Sequence, residues 1–202
     1  MTPTAPPTLP LLGTQAGFRR FSVAEYHRLT EIGILTEDDN LELIEGYLVQ
    51  KMSRNPPHDS LLHELFMFLL PLLPAGWILR GQMAITLPDS EPEPDMALVR
   101  TDAAKYRNRH PGPKDFGVII EVSDSTLAGD RLDKGRIYAR AGIPIYWIVN
   151  LVDSRVEVYT QPSGPGATPA YARRQNLTSA DDLEVVLDGA IVARIAVADL
   201  FR

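Results

Sequence analysis

The sequence predicts an α/β fold, a mixed β-sheet flanked by helices with additional β-hairpins, on three observations. Helical and β-like segments follow one another as helix, strands, helix, strands, helix, strand, which is not a strict βαβ series. The run Val118-Ile119-Ile120-Glu121-Val122 is apolar on both faces, the mark of a central strand. The chain's 202 residues, 45% hydrophobic and 23% charged, suffice for one sizeable core and are too few for two.

Residues 1–17 carry four prolines and several threonines and read as a flexible N-terminal arm, leaving residues 18–202 as a single domain. Ser22 is a good N-cap for a first helix, Val23 to Ile32, with Val23, Tyr26 and Leu29 at helical spacing. Leu41 to Ile44 and Tyr47 to Met52 are short alternating runs joined at Glu45-Gly46, a hairpin turn. Between Asp59 and Leu73, leucines and phenylalanines recur at three and four, bracketed by Pro56, Pro57 and Pro74; Pro71 should end or kink this second helix.

Trp77 to Leu87, Met96 to Val99 and Phe116 to Val122 are β-like, separated by proline-, glycine- and charge-rich loops, so the sheet has at least five strands. A third helix, Asp130 to Ala141, stops at Gly142 with Pro144 beyond it. Ile145 to Leu151 and Arg155 to Tyr159 follow as strands, then a Gly/Pro loop from Pro162 to Pro169, short strands and a terminal turn near Leu200.

Composition excludes several chemistries. With no cysteine there are no disulfides, thiolate nucleophiles or cysteine-ligated metals, so any metal must be held by oxygen or imidazole, and a reducing, cytoplasmic location is the default expectation. No apolar run approaches the roughly 20 residues of a membrane span. A net charge of -6 supplies no global attraction for a polyanion. No Gly-x-Ser-x-Gly or phosphate-cradling glycine motif is present, and Ser123 to Thr126 reads as a loop capping the third helix. His58 and His63, five apart, fall on different sides of a helix and do not make a metal-binding pair.

The strongest chemical signal is Glu121, a carboxylate inside an apolar strand. Burying it alone costs several kcal/mol or forces its pKa upward, so it needs a cation, a hydrogen-bond network or a mouth to solvent. Lys134 shares a helix face with Ile137, Tyr138 and Ala141, which sends it either outward along the surface or to carboxylates at the strand ends. Asp95 sits where the loop Glu91-Pro92-Glu93-Pro94 enters a strand, a position a turn-forming aspartate also takes. Alternation places Glu42 on the face opposite Leu41 and Leu43, where solvent exposure is the ordinary outcome. Three carboxylates and a lysine on adjacent elements are what metal-assisted phosphodiester hydrolysis requires.

The segments Leu41-Glu42-Leu43-Ile44-Glu45-Gly46, Glu93-Pro94-Asp95, Ile120-Glu121-Val122, Asp130-Arg131-Leu132-Asp133-Lys134, Tyr138 to Pro144 and Tyr146 to Val149 together resemble the Uma-type family of the PD-(D/E)xK nuclease superfamily, from about Phe21 to Tyr159. The resemblance implies a restriction-endonuclease-like core in which Asp95, Glu121 and the Val122 carbonyl bind Mg²⁺, for which Mn²⁺ substitutes, and Glu42 assists. The superfamily pattern has its lysine two residues after the glutamate, where this chain has Ser123; Lys134 on the following helix occupies the matching role. His58 and Gln82 also fall at positions the resemblance picks out as lining the site.

Lys105, Arg107, Arg109, His110 and Lys114 form a basic cluster that reads either as a grip on a phosphate backbone or as a solvated loop. The expected function is therefore a Mg²⁺-dependent endonuclease acting on DNA as a homodimer. The alternative is a catalytically silent nuclease-like fold that binds nucleic acid or protein.

Overall fold

The computed structural model describes residues 17–52 and 55–201; the expected arm at residues 1–17 lies outside this range except for Gly17. Helix α1 (Val23–Glu31) opens on a capping box in which the Ser22 hydroxyl accepts from the Glu25 N–H and the Glu25 carboxylate accepts from the Ser22 N–H. Strands β1 (Leu41–Ile44) and β2 (Tyr47–Gln50) form a hairpin of their own, turning at Glu45 and Gly46, both at positive φ.

Helix α2 (Pro56–Leu69) begins earlier than the sequence suggests. Asn55 accepts from the His58 N–H as N-cap, and Pro56 and Pro57 occupy first-turn positions where the missing N–H groups have no intrahelical acceptor to lose. Its stripe Leu61, Leu65 and Leu69, at most 5% exposed, packs on the main sheet, and each leucine stabilises by roughly 1.5–3 kcal/mol.

The main sheet has six strands in simple sequence order: β3 (Trp77–Gly81), β4 (Met96–Arg100), β5 (Phe116–Ser123), β6 (Ile145–Asn150), β7 (Arg155–Pro162) and β8 (Tyr171–Leu177). All neighbours are antiparallel except β5 and β6. The strand expected to run from Trp77 to Leu87 stops at Gly81, because Gln82 takes a left-handed φ of 52° and the chain leaves the sheet until Asp95.

The β5–β6 crossover is a continuous helix, α3, made of Leu127–Gly129, a π-helical turn Asp130–Lys134 and Gly135–Ala141. It starts three residues before the expected Asp130 and ends as expected at Gly142, whose φ of 74° lets its N–H reach back to Ala139 and Tyr138. The 123–126 segment does not cap it by side chain; the Ser123 and Thr126 hydroxyls donate instead to the Asp130 carboxylate, at 2.7 and 2.6 Å.

The hairpin β9 (Asp182–Leu187) and β10 (Ala190–Ala196) and a last turn, α4 (Val197–Leu200), join α2 on one face of the sheet. Helix α3 covers the other face, where Ala97, Ile119, Tyr146 and Ile148 meet Ile137 and Tyr138. All eight residues of β5 are buried, as its apolar run predicts. Among the described residues, no helix is long and apolar enough to cross a membrane.

Candidate active site

The β4–β5 register, Met96 opposite Ile120, carries forward to set Asp95 opposite Glu121, both on the face that α3 covers. Asp95 is 8% exposed and Glu121 2%. Asp95 Oδ2 accepts from the Val122 N–H at 2.9 Å, and the Asp95 N–H points to Glu121 Oε2 at 3.4 Å, so the two acids are fixed by each other's strands. His58, from the first turn of α2, brings Nε2 to 3.1 Å from Asp95 Oδ2. His58, which the resemblance picks out as lining the site, thus touches a candidate ligand directly.

Helix α3 supplies the rest. Lys134 Nζ lies 3.0 Å from Glu121 Oε1 and 3.5 Å from Asp130 Oδ1, and the Tyr138 hydroxyl donates to Glu121 Oε1 at 2.8 Å. The π turn keeps Asp130 and Lys134 together on the sheet side, a local widening that recurs at functional sites. Glu42 is 9% exposed rather than solvated, because the segment after Pro92 covers it and the Glu93 N–H donates to its Oε2 at 3.1 Å.

These residues surround a small cavity of about 80 Å³. Among the described residues, six carboxylates line it, those of Glu42, Glu93, Asp95, Glu121, Asp124 and Asp130, against the two ammonium groups of Lys51 and Lys134 and the His58 imidazole. Burial pushes the Glu121 carboxyl up to about 8; Lys134 opposes this, while Asp95 and Asp130 add to it. Burial also works to raise Asp95, but the His58 imidazole and the Val122 N–H outweigh it and hold the carboxyl below its ordinary range. His58 is raised in turn, chiefly by its bond to Asp95, and the carboxylates around Lys134 hold it protonated against the cost of burial.

This donor set fits a hard divalent cation, which would relieve the excess of negative charge around a buried glutamate. Among the described residues, no three or more histidine or carboxylate side chains are grouped so as to hold a metal ion by themselves, so a cation here would need water or main-chain oxygen to complete its shell.

Other expected residues lie elsewhere. Gln82 does not reach this cavity; its N–H donates to the Asp95 carbonyl at 3.0 Å and it lines a shallow recess on the far side of Asp95. Lys105, Arg107 and Arg109 also stay outside it, and Arg109 is held by Asp102 and Asp115. Asp130 and Tyr138 join the site without having been expected there. The i, i+4 spacing of Asp130 and Lys134 was the available signal for the first, and the shared helix face with Lys134 for the second.

The family described as "Putative restriction endonuclease" (Uma2) matches residues 23–194. No match was found among curated proteins. Among solved structures, one from Anabaena variabilis described as "a putative nuclease belonging to DUF820" superposes with a TM-score of 0.66 at 18% identity, covering 86% of this chain and 96% of that one. At that identity the likeness concerns the fold, which is nuclease-like.

Proposed function

Because the chain belongs to the Uma2 family, we propose that it is a divalent-metal-dependent endonuclease that hydrolyses DNA phosphodiester bonds. The observation that carries this reading is the opposition of Asp95 and Glu121 on adjacent strands, inside a cavity where, among the described residues, carboxylates outnumber cations. Asp95 and Glu121, with the Val122 carbonyl, would hold Mg²⁺ or Mn²⁺. Bound there, the ion would polarise a phosphoryl oxygen and make a water molecule acidic enough to attack phosphorus at neutral pH.

The protein's own groups prepare the rest. His58 and the Val122 N–H fix the Asp95 rotamer, and Tyr138 does the same for Glu121. Lys134 stays protonated and beside the carboxylates, where its ammonium stabilises the negative charge that grows on the phosphoryl oxygens. Glu42, tethered through the Glu93 N–H, adds a further acceptor for water on the near side of the cavity. Cutting both strands of a duplex calls for two such sites, so the reading includes a homodimer, checked by sedimentation of the full chain.

The test is Mn²⁺- and Mg²⁺-dependent cleavage of duplex, single-stranded and branched DNA by the purified protein, beside Asp95→Ala prepared identically. Cleavage by the unmutated protein alone, stopped by chelation, supports the reading. Equal cleavage by both means contamination, and silence from both leaves the fold as a binding module.

A further inference from the structure

A second, larger cleft of about 1030 Å³ adjoins the carboxylate cavity and shares Lys51 and Glu93 with it. Helix α1 forms one wall with Tyr26 and His27; β3 and the 106–112 segment form another with Arg80, Arg107 and His110. Lys51 Nζ, 2.6 Å from Glu93, stands at the junction, so any chain-like ligand reaching the carboxylates from this side passes over it.

Two features of the cleft are not explained by folding. Among the described residues, neither Arg80 nor Arg107 has a carboxylate partner, although most arginines of this acidic chain do. Arg80 rests over the Tyr106 ring at 5.4 Å with its buried Nε unpartnered, and burial lowers its pKa, a cost no ion pair offsets. Lys105 and Tyr106 are consecutive non-glycine residues at φ of 53° and 54°, a strained pair that sets the Tyr106 ring beneath Arg80 and Arg109 and leaves Arg107 on the exposed loop that lines the cleft.

The cleft also presents flat rings. His27 and His110 are each about half exposed, stand 6.4 Å apart edge to face, and are held by the buried Glu91 between them, at 2.8 and 3.8 Å. Cations that track a backbone, alternating with rings on which bases stack, are how proteins hold unpaired nucleic-acid strands. A duplex binder typically neutralises about six to ten phosphates. Among the described residues, Lys51 and Arg109 of this cleft are paired with carboxylates and only the Arg80 and Arg107 guanidiniums are not, too few for that footprint, and Glu31, Glu37, Glu91 and Glu93 line it as well.

We propose that the cleft holds a short single-stranded segment flanking the scissile phosphate, with Arg80 and Arg107 on its phosphates and the His27 and His110 rings against its bases. The proposal rests on the nuclease reading for its substrate but is tested by binding alone. Fluorescence anisotropy in EDTA would compare a labelled single strand of about 12 nucleotides, within the ~4–16 nucleotide range of single-strand sites, with its duplex. The proteins are the full chain, the double variant Arg80→Gln/Arg107→Gln, Arg107→Gln alone, and Arg173→Gln on β8 at the opposite sheet edge.

The expected result is at least tenfold tighter binding of the single strand than of the duplex. The double variant should lose at least tenfold, with the slope of log K against log salt reduced by roughly 0.7 for each phosphate contact removed. Arg107→Gln, on an exposed loop that does not threaten folding, should lose part of that, and Arg173→Gln nothing. Equal binding of duplex, unchanged binding by both cleft variants, or no binding of either oligonucleotide overturns the proposal. Binding with this pattern by a chain that never cuts DNA would uphold the cleft and remove the nuclease reading, and cleavage with unaltered variant binding would do the reverse.

Discussion

Glu121 and Glu157 lie in one row of the sheet, in register through Ile148, and helix α3 sets a cation over each: Lys134 over Glu121, and Arg131, three residues earlier, over Glu157. The two acids are two strands apart, roughly 10 Å at the usual strand spacing. Glu157 is fully buried and is also bonded by Asn150, Tyr159 and Arg174. It therefore acts as a fixed anchor for the π turn that carries Lys134, and the position of the candidate catalytic ammonium is set from a second, remote carboxylate.

Lys134→Met removes the ammonium while keeping the length of the side chain. If Lys134 stabilises developing charge, cleavage should fall about 10²- to 10³-fold, the range for deleting one preorganised donor. Mn²⁺ affinity, read by calorimetry, should stay within severalfold, since the lysine is no ligand. Loss of Mn²⁺ binding together with cleavage would instead make Lys134 a support for the metal-holding carboxylates.

The Glu157 anchor predicts a pH dependence. Burial alone would raise this carboxyl, but the bonds from Arg131, Tyr159 and Asn150 and the nearby Arg174 bring it down to about 2, from an ordinary value of 4.5. A carboxyl lowered by folding contributes stability that is present above its unfolded pKa and disappears as pH falls toward the folded value. Glu157→Gln should therefore be less stable than the unmutated chain at pH 7, and the gap in urea midpoint should narrow between about pH 4.5 and 2. A gap constant across that range would remove the electrostatic account of the anchor.

Gly117 tests how the β9–β10 hairpin seats on the sheet. A Cβ at this position would lie 2.4 Å from the Leu187 side chain and 2.8 Å from the Trp77 ring, on a face where both are packed. Gly117→Ala should cost about 1–3 kcal/mol, the usual penalty of overpacking, measured as a lower midpoint at unchanged denaturant slope. Asp95→Ala measured in parallel should not reproduce that loss, and a neutral Gly117→Ala would mean that the hairpin rides loosely.

What the sequence made legible was local. The doubly apolar run around Glu121, the Glu45-Gly46 turn and the Gly142 stop each depend on residues within a few positions, and each stands where the pattern places it. Period-2 alternation also put Glu42 on the correct side of β1, but alternation says nothing about what covers that side, and the Glu93 segment covers it. The His58–Asp95 bond joins residues 37 apart, and the Asn55–Asp124 bond at 2.8 Å joins residues 69 apart. No local period encodes such pairs. The strand from Trp77 failed at Gln82 because its later β-like residues, Ile85 and Leu87, are buried from a loop, and hydrophobicity alone does not separate the two.

His58 poses the sharpest question about the site, because its imidazole bonds the same Asp95 oxygen that accepts from Val122. That leaves the other Asp95 oxygen as the natural donor to a cation, and makes His58 a positioning residue. Removing such an outer partner typically costs 10- to 100-fold in metal affinity or activity. His58→Ala should weaken Mn²⁺ binding by that range, and His58→Asn, which keeps a side-chain N–H donor, should recover part of it. If instead His58 were itself a ligand, the alanine variant would lose binding altogether and asparagine would not rescue it. Should both variants bind Mn²⁺ as the unmutated protein does, Asp95 is oriented by the Val122 N–H alone, and the contact at 3.1 Å serves only to pack the start of α2 against the sheet.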